Sequence, residues 1–104
     1  MPGLKPTIRR HTVNFTDFRR IQSILQAEKF AIIADSTNTV SVNIASKEIT
    51  NTNTEDYHEL QPGDSLVWEG TKPGDVLEMV LWARVASGSA ILFVWVWTQE
   101  VKGR

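Results

Sequence analysis

The chain has no cysteine among its 104 residues. That excludes a disulfide framework, a thiolate nucleophile and a cysteine-ligated metal, and it frees the fold from any need for an oxidising compartment. Histidine occurs twice, as His11 and His58, and neither sits in a recognisable nucleophile or metal-ligand setting. Glycines stand singly in turn-like contexts, as at Gly63, Gly70, Gly74 and Gly88, so no phosphate-cradling loop is present. No apolar run approaches the roughly 18 residues of a membrane span, and the start, MPGLKPTIRRH, lacks the apolar core of a secretory leader. The expectation is a protein made in the cytoplasm, with no membrane partner. Charge of one sign is also lacking overall, the net value being -1.

What remains is an ordinary globular composition, 41% hydrophobic and 22% charged, in a length that suits one core and not two. The charge is unevenly placed. Lys5, Arg9, Arg10, Arg19 and Arg20 face only Asp17 in residues 1 to 20, a local +4, and six basic against eleven acidic residues make the remainder -5. With Pro2, Gly3 and Pro6 nearby, residues 1–11 read as an extended basic arm, either one that docks on an acidic surface or a neighbouring copy or a solvated tail. Residues 12–104 read as the folded domain, and removal of the arm is expected to leave that domain intact.

Alternation dominates the rest. Val13 and Phe15 share one face of a short strand, Phe30 to Ala34 is a continuous buried strand, and Val40, Val42 and Ile44 alternate with polar or small residues. Asp35 to Asn38 supplies turn chemistry between the last two, which are expected to pair as a hairpin. Residues 16 to 27 change period: Phe18, Ile21 and Leu25 recur at helical spacing behind Thr16 or Asp17, so one short helix is expected there. Residues 50 to 56 hold no apolar side chain and form a surface loop. Pro62-Gly63-Asp64 and Pro73-Gly74-Asp75 each mark a turn ahead of a strand, and Ala86 to Ser89 joins Val76–Val85 to Ala90–Thr98 as a second expected hairpin.

The last strand carries most information. Ile91, Phe93, Trp95 and Trp97 lie on one face and Leu92, Val94 and Val96 on the other. In an antiparallel sheet, a strand apolar on both faces is expected to be central and covered on both, by a second sheet and by either the short helix or another protein chain. The class is all-β, an antiparallel β-sandwich with jelly-roll-like topology.

The search for chemistry yields little. Asp35, Asp64 and Asp75 adjoin turns and cap their amides; Glu69 and Glu78 are one of many acid pairs that a β-protein offers and do not mark a glycosidase. The acidic body repels phosphate, which argues against nucleic acid despite four tryptophans. No catalytic residue, metal or cofactor is assigned. Two contact surfaces are: Arg9, Arg10, Phe93, Trp95 and Trp97 as a protein interface, and Trp68 and Trp82 with Tyr57, near Asn51 and Asn53, as an aromatic platform for a ligand such as carbohydrate.

The run Ala34-Asp35-Ser36-Thr37-Asn38-Thr39 leading into a valine-rich strand, then Leu60-Gln61-Pro62-Gly63-Asp64-Ser65, then a terminal hairpin, resembles small tailed-bacteriophage virion proteins over residues 30 to 98. Asn43 to Ser46 and the tryptophan-rich last strand depart from that pattern. The resemblance implies a β-sandwich capsid decoration or cement protein on the virion surface, a dimer or trimer that bridges copies of the major capsid protein. A carbohydrate-binding tail or fibre module is the alternative reading.

Overall fold

The structure is a computed structural model that describes residues 6–48, 53–70 and 76–98. It is all-β, and among the described residues there is no helix. Seven strands, β1 (Thr7–Val13), β2 (Arg19–Ala34), β3 (Val42–Glu48), β4 (His58–Leu60), β5 (Ser65–Glu69), β6 (Leu77–Arg84) and β7 (Ala90–Thr98), form one antiparallel sheet. The order is β1-β7-β2-β6-β3-β4, and β5 also pairs with β2.

The organising element is β2, 16 residues long. Its first half, Arg19 to Ala27, pairs with β6; its second half, Ala27 to Ala34, lies between β7 and β5. The sheet therefore has two wings, β6-β3-β4 against one half of β2 and β1-β7 with β5 against the other. The wings curl so that their inner faces share one core, with Phe30, Ile32, Leu92 and Val94 packed in the same cluster as Ile44, Leu81 and Ala83. No polar or charged residue is buried among those described.

The helix expected over residues 16 to 27 is not formed, and the reason lies in three irregularities of pairing. Register shifts occur between Arg20 and Gln22, between Ile24 and Ala27, and between Ala27 and Lys29. Each shift inserts an unpaired residue and so delays the inward turn of the next side chain by one. Ile21, Ile24, Ala27 and Phe30 thus all reach the core at three-residue spacing, which imitates a helical period. Gln26 takes a φ of 52° inside the second bulge, and Leu25, which a helix would have laid on the sheet, is 54% exposed.

Two other expectations are corrected. Residues 7 to 11 belong not to a free arm but to β1, which pairs residue by residue with β7 from Thr7↔Val96 to Val13↔Ala90. The side chains of Thr7 to Arg10 are exposed, so hydrophobic patterning carries no trace of this strand; backbone pairing alone places it. Neither expected hairpin exists either. β2 and β3 do not pair, and β6 and β7 are separated by β2, so the turns at Asp35 to Asn38 and Ala86 to Ser89 cross between wings. The strands at Ser65–Glu69 and Ala90–Thr98 stand as read. Lys72 to Asp75 and Thr50 to Thr52 lie outside the described residues.

The crossing turns are held by polar groups. The Asn38 amide nitrogen donates to Ile91 O at 3.0 Å and its oxygen accepts from Ile91 N at 2.8 Å, so one side chain imitates a strand partner for β7. Gly63, at a φ of 88° that only glycine adopts without strain, donates its N–H to Ala34 O at 3.0 Å. Ala34 N in turn donates to Asp64 O at 2.8 Å, and the Asp64 carboxylate accepts from Gln61 N at 2.9 Å. The Ala34-Asp35 and Pro62-Gly63-Asp64 segments are thereby locked together.

Two outcomes follow for stability. Phe30→Ala, which empties the centre of the shared core, is expected to cost about 3–5 kcal/mol in urea unfolding, whereas Val67→Ala on the outer surface costs under about 0.5 kcal/mol. Deleting residues 1–11 is expected to lower the unfolding midpoint clearly by uncovering the β7 edge; an unchanged midpoint would mean that β1 contributes nothing to the fold.

Candidate functional site

The outer face of β1, β7, β2 and β5 is built by register. Trp95 lies opposite Ile8 on one side and Ala31 on the other, and Ala31 lies opposite Val67. One row along, Phe93 stands between Arg10 and Ile33, and Ile33 beside Ser65. In the opposite direction Trp97 neighbours Lys29, which neighbours Glu69. Paired residues share a face, so these rows form one apolar surface with charges at its borders.

This surface is open to solvent. Ile8 is 50% and Val67 53% exposed, and Phe93, Trp95, Trp97 and Ile33 are only partly buried. The Trp95 and Trp97 rings lie 6.0 Å apart and tilted by 32°, and the Lys29 ammonium sits 4.9 Å from the Trp97 ring centre. Between Ile8, Ile33, Phe93, Trp95 and the Asp35 and Gly63 turns lies a concavity of about 500 Å³. The border charges are mixed, with Arg10 and Lys29 against Asp35 and Glu69. β1 closes the sheet on this side, leaving one edge of its backbone without a strand partner among the described residues.

Of the residues expected at an interface, Arg10, Phe93, Trp95 and Trp97 come together on this face. Arg9 does not: it pairs with Val94, whose side chain points into the core, and so projects from the other side of β1. Ile8, Ile33 and Val67 were missed as members of the surface. Their membership depends on which strands adjoin β7 and β2, which no local pattern encodes.

The three platform residues are dispersed. Trp68 packs its ring on Phe30, stacked at 4.7 Å and 12°, and so belongs in part to the core, with His58 edge-on at 6.2 Å. Tyr57 is 44% exposed and meets Phe18 at 5.5 Å, while the Arg84 guanidinium lies over both rings, at 4.3 Å from Phe18 and 5.1 Å from Tyr57. Trp82 is on the outer face of β6 under Arg20, 5.5 Å from its ring centre, and its indole N–H is buried without a hydrogen-bond partner among the described residues. Trp68 and Tyr57 nonetheless line one polar concavity of about 550 Å³ with Ser46, Lys47, Glu55, Asp56 and His58; Trp82 is not part of it. Asn51 lies outside the described residues.

His11 is held by Gln22, with 2.7 Å between the imidazole Nε2 and the amide oxygen, a partly buried contact between β1 and the first half of β2, which are not neighbours in the sheet. Among the described residues no group of three or more His, Asp or Glu side chains is arranged to hold a metal ion.

The chain matches no known protein family and no curated protein. It is similar to one solved structure, a de novo designed double-stranded β-helix determined by solution NMR, at 16% identity and a TM-score of 0.52, over 86% of this chain and 96% of that one. The likeness is one of fold.

At high dilution, where no other chain covers it, an apolar surface of this make-up is expected to bind a hydrophobic fluorescent dye in the folded state. At the same dilution Trp95→Ser should remove most of that signal with the unfolding midpoint little changed, because the side chain points away from the core; dye fluorescence and thermal unfolding, measured together, check both parts.

Proposed function

We propose that the protein is a non-enzymatic structural module that works by contact, joining copies of itself through the outer face of β1, β7, β2 and β5. The observation that carries this reading is the row of Ile8, Trp95 and Val67 across a buried Ala31, beside Phe93 and Ile33, in which Ile8 and Val67 are exposed and Trp95, Phe93 and Ile33 only partly buried. Exposed apolar surface of this kind is rare on monomers and costs solubility, and covering what remains exposed of each large side chain contributes a fraction of the about 1.5–3 kcal/mol of full burial. The occupant we assign is a second copy. Borders that carry cations, Arg10 and Lys29, and anions, Asp35 and Glu69, suit a self-complementary contact, and aromatic anchors at the centre of a polar rim are the usual make-up of such interfaces.

Within that reading, the order of the Ala34-Asp35, Pro62-Gly63-Asp64 and last-strand segments supports a capsid decoration protein of a tailed bacteriophage, built on a jelly-roll-like sandwich, that lies on the virion surface and bridges subunits of the major capsid protein. A cement protein adds contacts that exist only in the assembled shell and stabilises it by linkage, without chemistry. Dimers or trimers attach through several sites at once, which raises effective affinity well above that of a single contact.

Sedimentation velocity across a concentration series should show a dimer or trimer, and Trp95→Ala should weaken association by about 30-fold, the equivalent of about 2 kcal/mol for an interface anchor. Glu59→Ala on the opposite wing should leave it unchanged. Equal effects of the two substitutions would remove the proposed face from the interface. The virion reading is tested separately: particles banded in a density gradient from cells that make the chain should carry it, and its absence from the particle fraction would overturn that assignment.

A further inference from the structure

The polar concavity is built from both wings, Ser46 and Lys47 from β3 and Glu55 to His58 leading into β4 on one, Trp68 of β5 on the other. It lies where the curl opens, since Ser46 follows Val42 and Ile44 on the inward-facing side of β3 and Trp68 packs against the core cluster. Openings of curled sheets are recurrent ligand positions, because rigid strands fix the walls while loops supply polar groups.

Two observations point to a ligand. The Ser46 Oγ is enclosed and has no hydrogen-bond partner among the described residues, an arrangement that costs free energy. A change of side-chain rotamer would be needed to bring the hydroxyl to a ligand in the cup. Trp68, meanwhile, is held in one orientation by stacking on Phe30 and by the edge-on His58 ring, so an aromatic wall is presented ready-made.

The chemistry of the lining selects the class. An anion meets Glu55 and Asp56, and a cation meets Lys47, with Arg84 close by at Tyr57. A neutral molecule rich in hydroxyls avoids both repulsions. Hydroxyls donate to the two carboxylates, accept from the Lys47 ammonium, and exchange hydrogen bonds with Ser46 and His58. The C–H face of a sugar ring suits the aromatic surfaces of Trp68 and Tyr57. The volume of about 550 Å³ is within the range of small-molecule sites and holds one or two sugar units.

We infer that the cup formed by Ser46, Glu55, Asp56, Tyr57, His58 and Trp68 is a carbohydrate-binding site. It is separate from the self-association face and does not depend on it.

The test uses the whole chain labelled with nitrogen-15, titrated in turn with cello-, malto- and chito-oligosaccharides while the indole N–H signals of the four tryptophans are followed. At least one of the three sugars is expected to shift the Trp68 signal saturably and to leave Trp95 and Trp97 unmoved. Ser46→Ala, which removes an unpaired hydroxyl and so should fold at least as well as wild type, is expected to weaken that binding by about five-fold or more. Glu55→Gln, at an exposed position, should also weaken it without loss of fold. The inference is overturned if no sugar moves the Trp68 signal, if shifts are confined to Trp95 and Trp97, or if both variants bind as wild type does. Failure here leaves the self-association reading standing, because that reading is measured at Trp95.

Discussion

The structure depends on one strand serving two sets of neighbours. β2 gives its first half to β6 and its second half to β7 and β5, and everything else is arranged by that division. A straight strand of this length would hold all its partners in one flat layer, with both sheet faces open. The bulges around Ile21, Gln26 and Glu28 bend and twist it, and Gln26 at a φ of 52° marks the sharpest departure from extended backbone. Curling turns one face of each wing inward, which lets a chain of this size enclose Phe30, Ile32, Leu81 and Leu92 in a single core with no buried charge.

The same curl decides what is left outside. On the wing of β3 and β6, the outward side chains are largely covered by cations over aromatic rings, Arg20 on Trp82 and Arg84 on Phe18 and Tyr57. On the wing of β1 and β7 the only such cover among the described residues is Lys29 on Trp97, and Ile8 and Val67 lie open beside the partly buried Trp95 and Phe93. The contrast between the wings, more than the exposure of any single residue, supports an assembly surface on one of them. The opening of the curl, by contrast, gathers mixed charges and one hydroxyl without a partner among the described residues around Trp68, which suits a hydroxyl-rich ligand and not a protein face.

Much of this was legible in the chain and some was not, for definite reasons. β7 was read correctly in bounds and in facing because Ile91 to Trp97 alternates without interruption and a strand has a period of two. β2 was misread over its first half because bulges at three places spaced Ile21, Ile24, Ala27 and Phe30 three apart, the one spacing that strands are not expected to show. β1 was read only at its end, since the strand expected from Thr12 to Phe15 shares just Thr12 and Val13 with it; the rest was missed because its outward-facing and edge positions carry Thr7, Ile8, Arg9 and Arg10, whose placement comes from hydrogen bonds to β7 and not from burial. The hairpins were misassigned because small-residue turns such as Ala86 to Ser89 serve a crossing between wings as readily as a reversal within one. For the same reason the aromatic half of the outer face could be named in advance, whereas Ile8, Ile33 and Val67, which complete it, required the register.

The most direct measurement of the central claim is fluorine NMR of the chain labelled with 5-fluorotryptophan, recorded over a dilution series. If copies meet through the outer face of β1, β7, β2 and β5, the Trp95 and Trp97 signals move together with concentration while those of Trp68 and Trp82 hold their positions. Four signals that stay fixed across the series, or movement at Trp68 and Trp82 with Trp95 and Trp97 unchanged, would contradict the account.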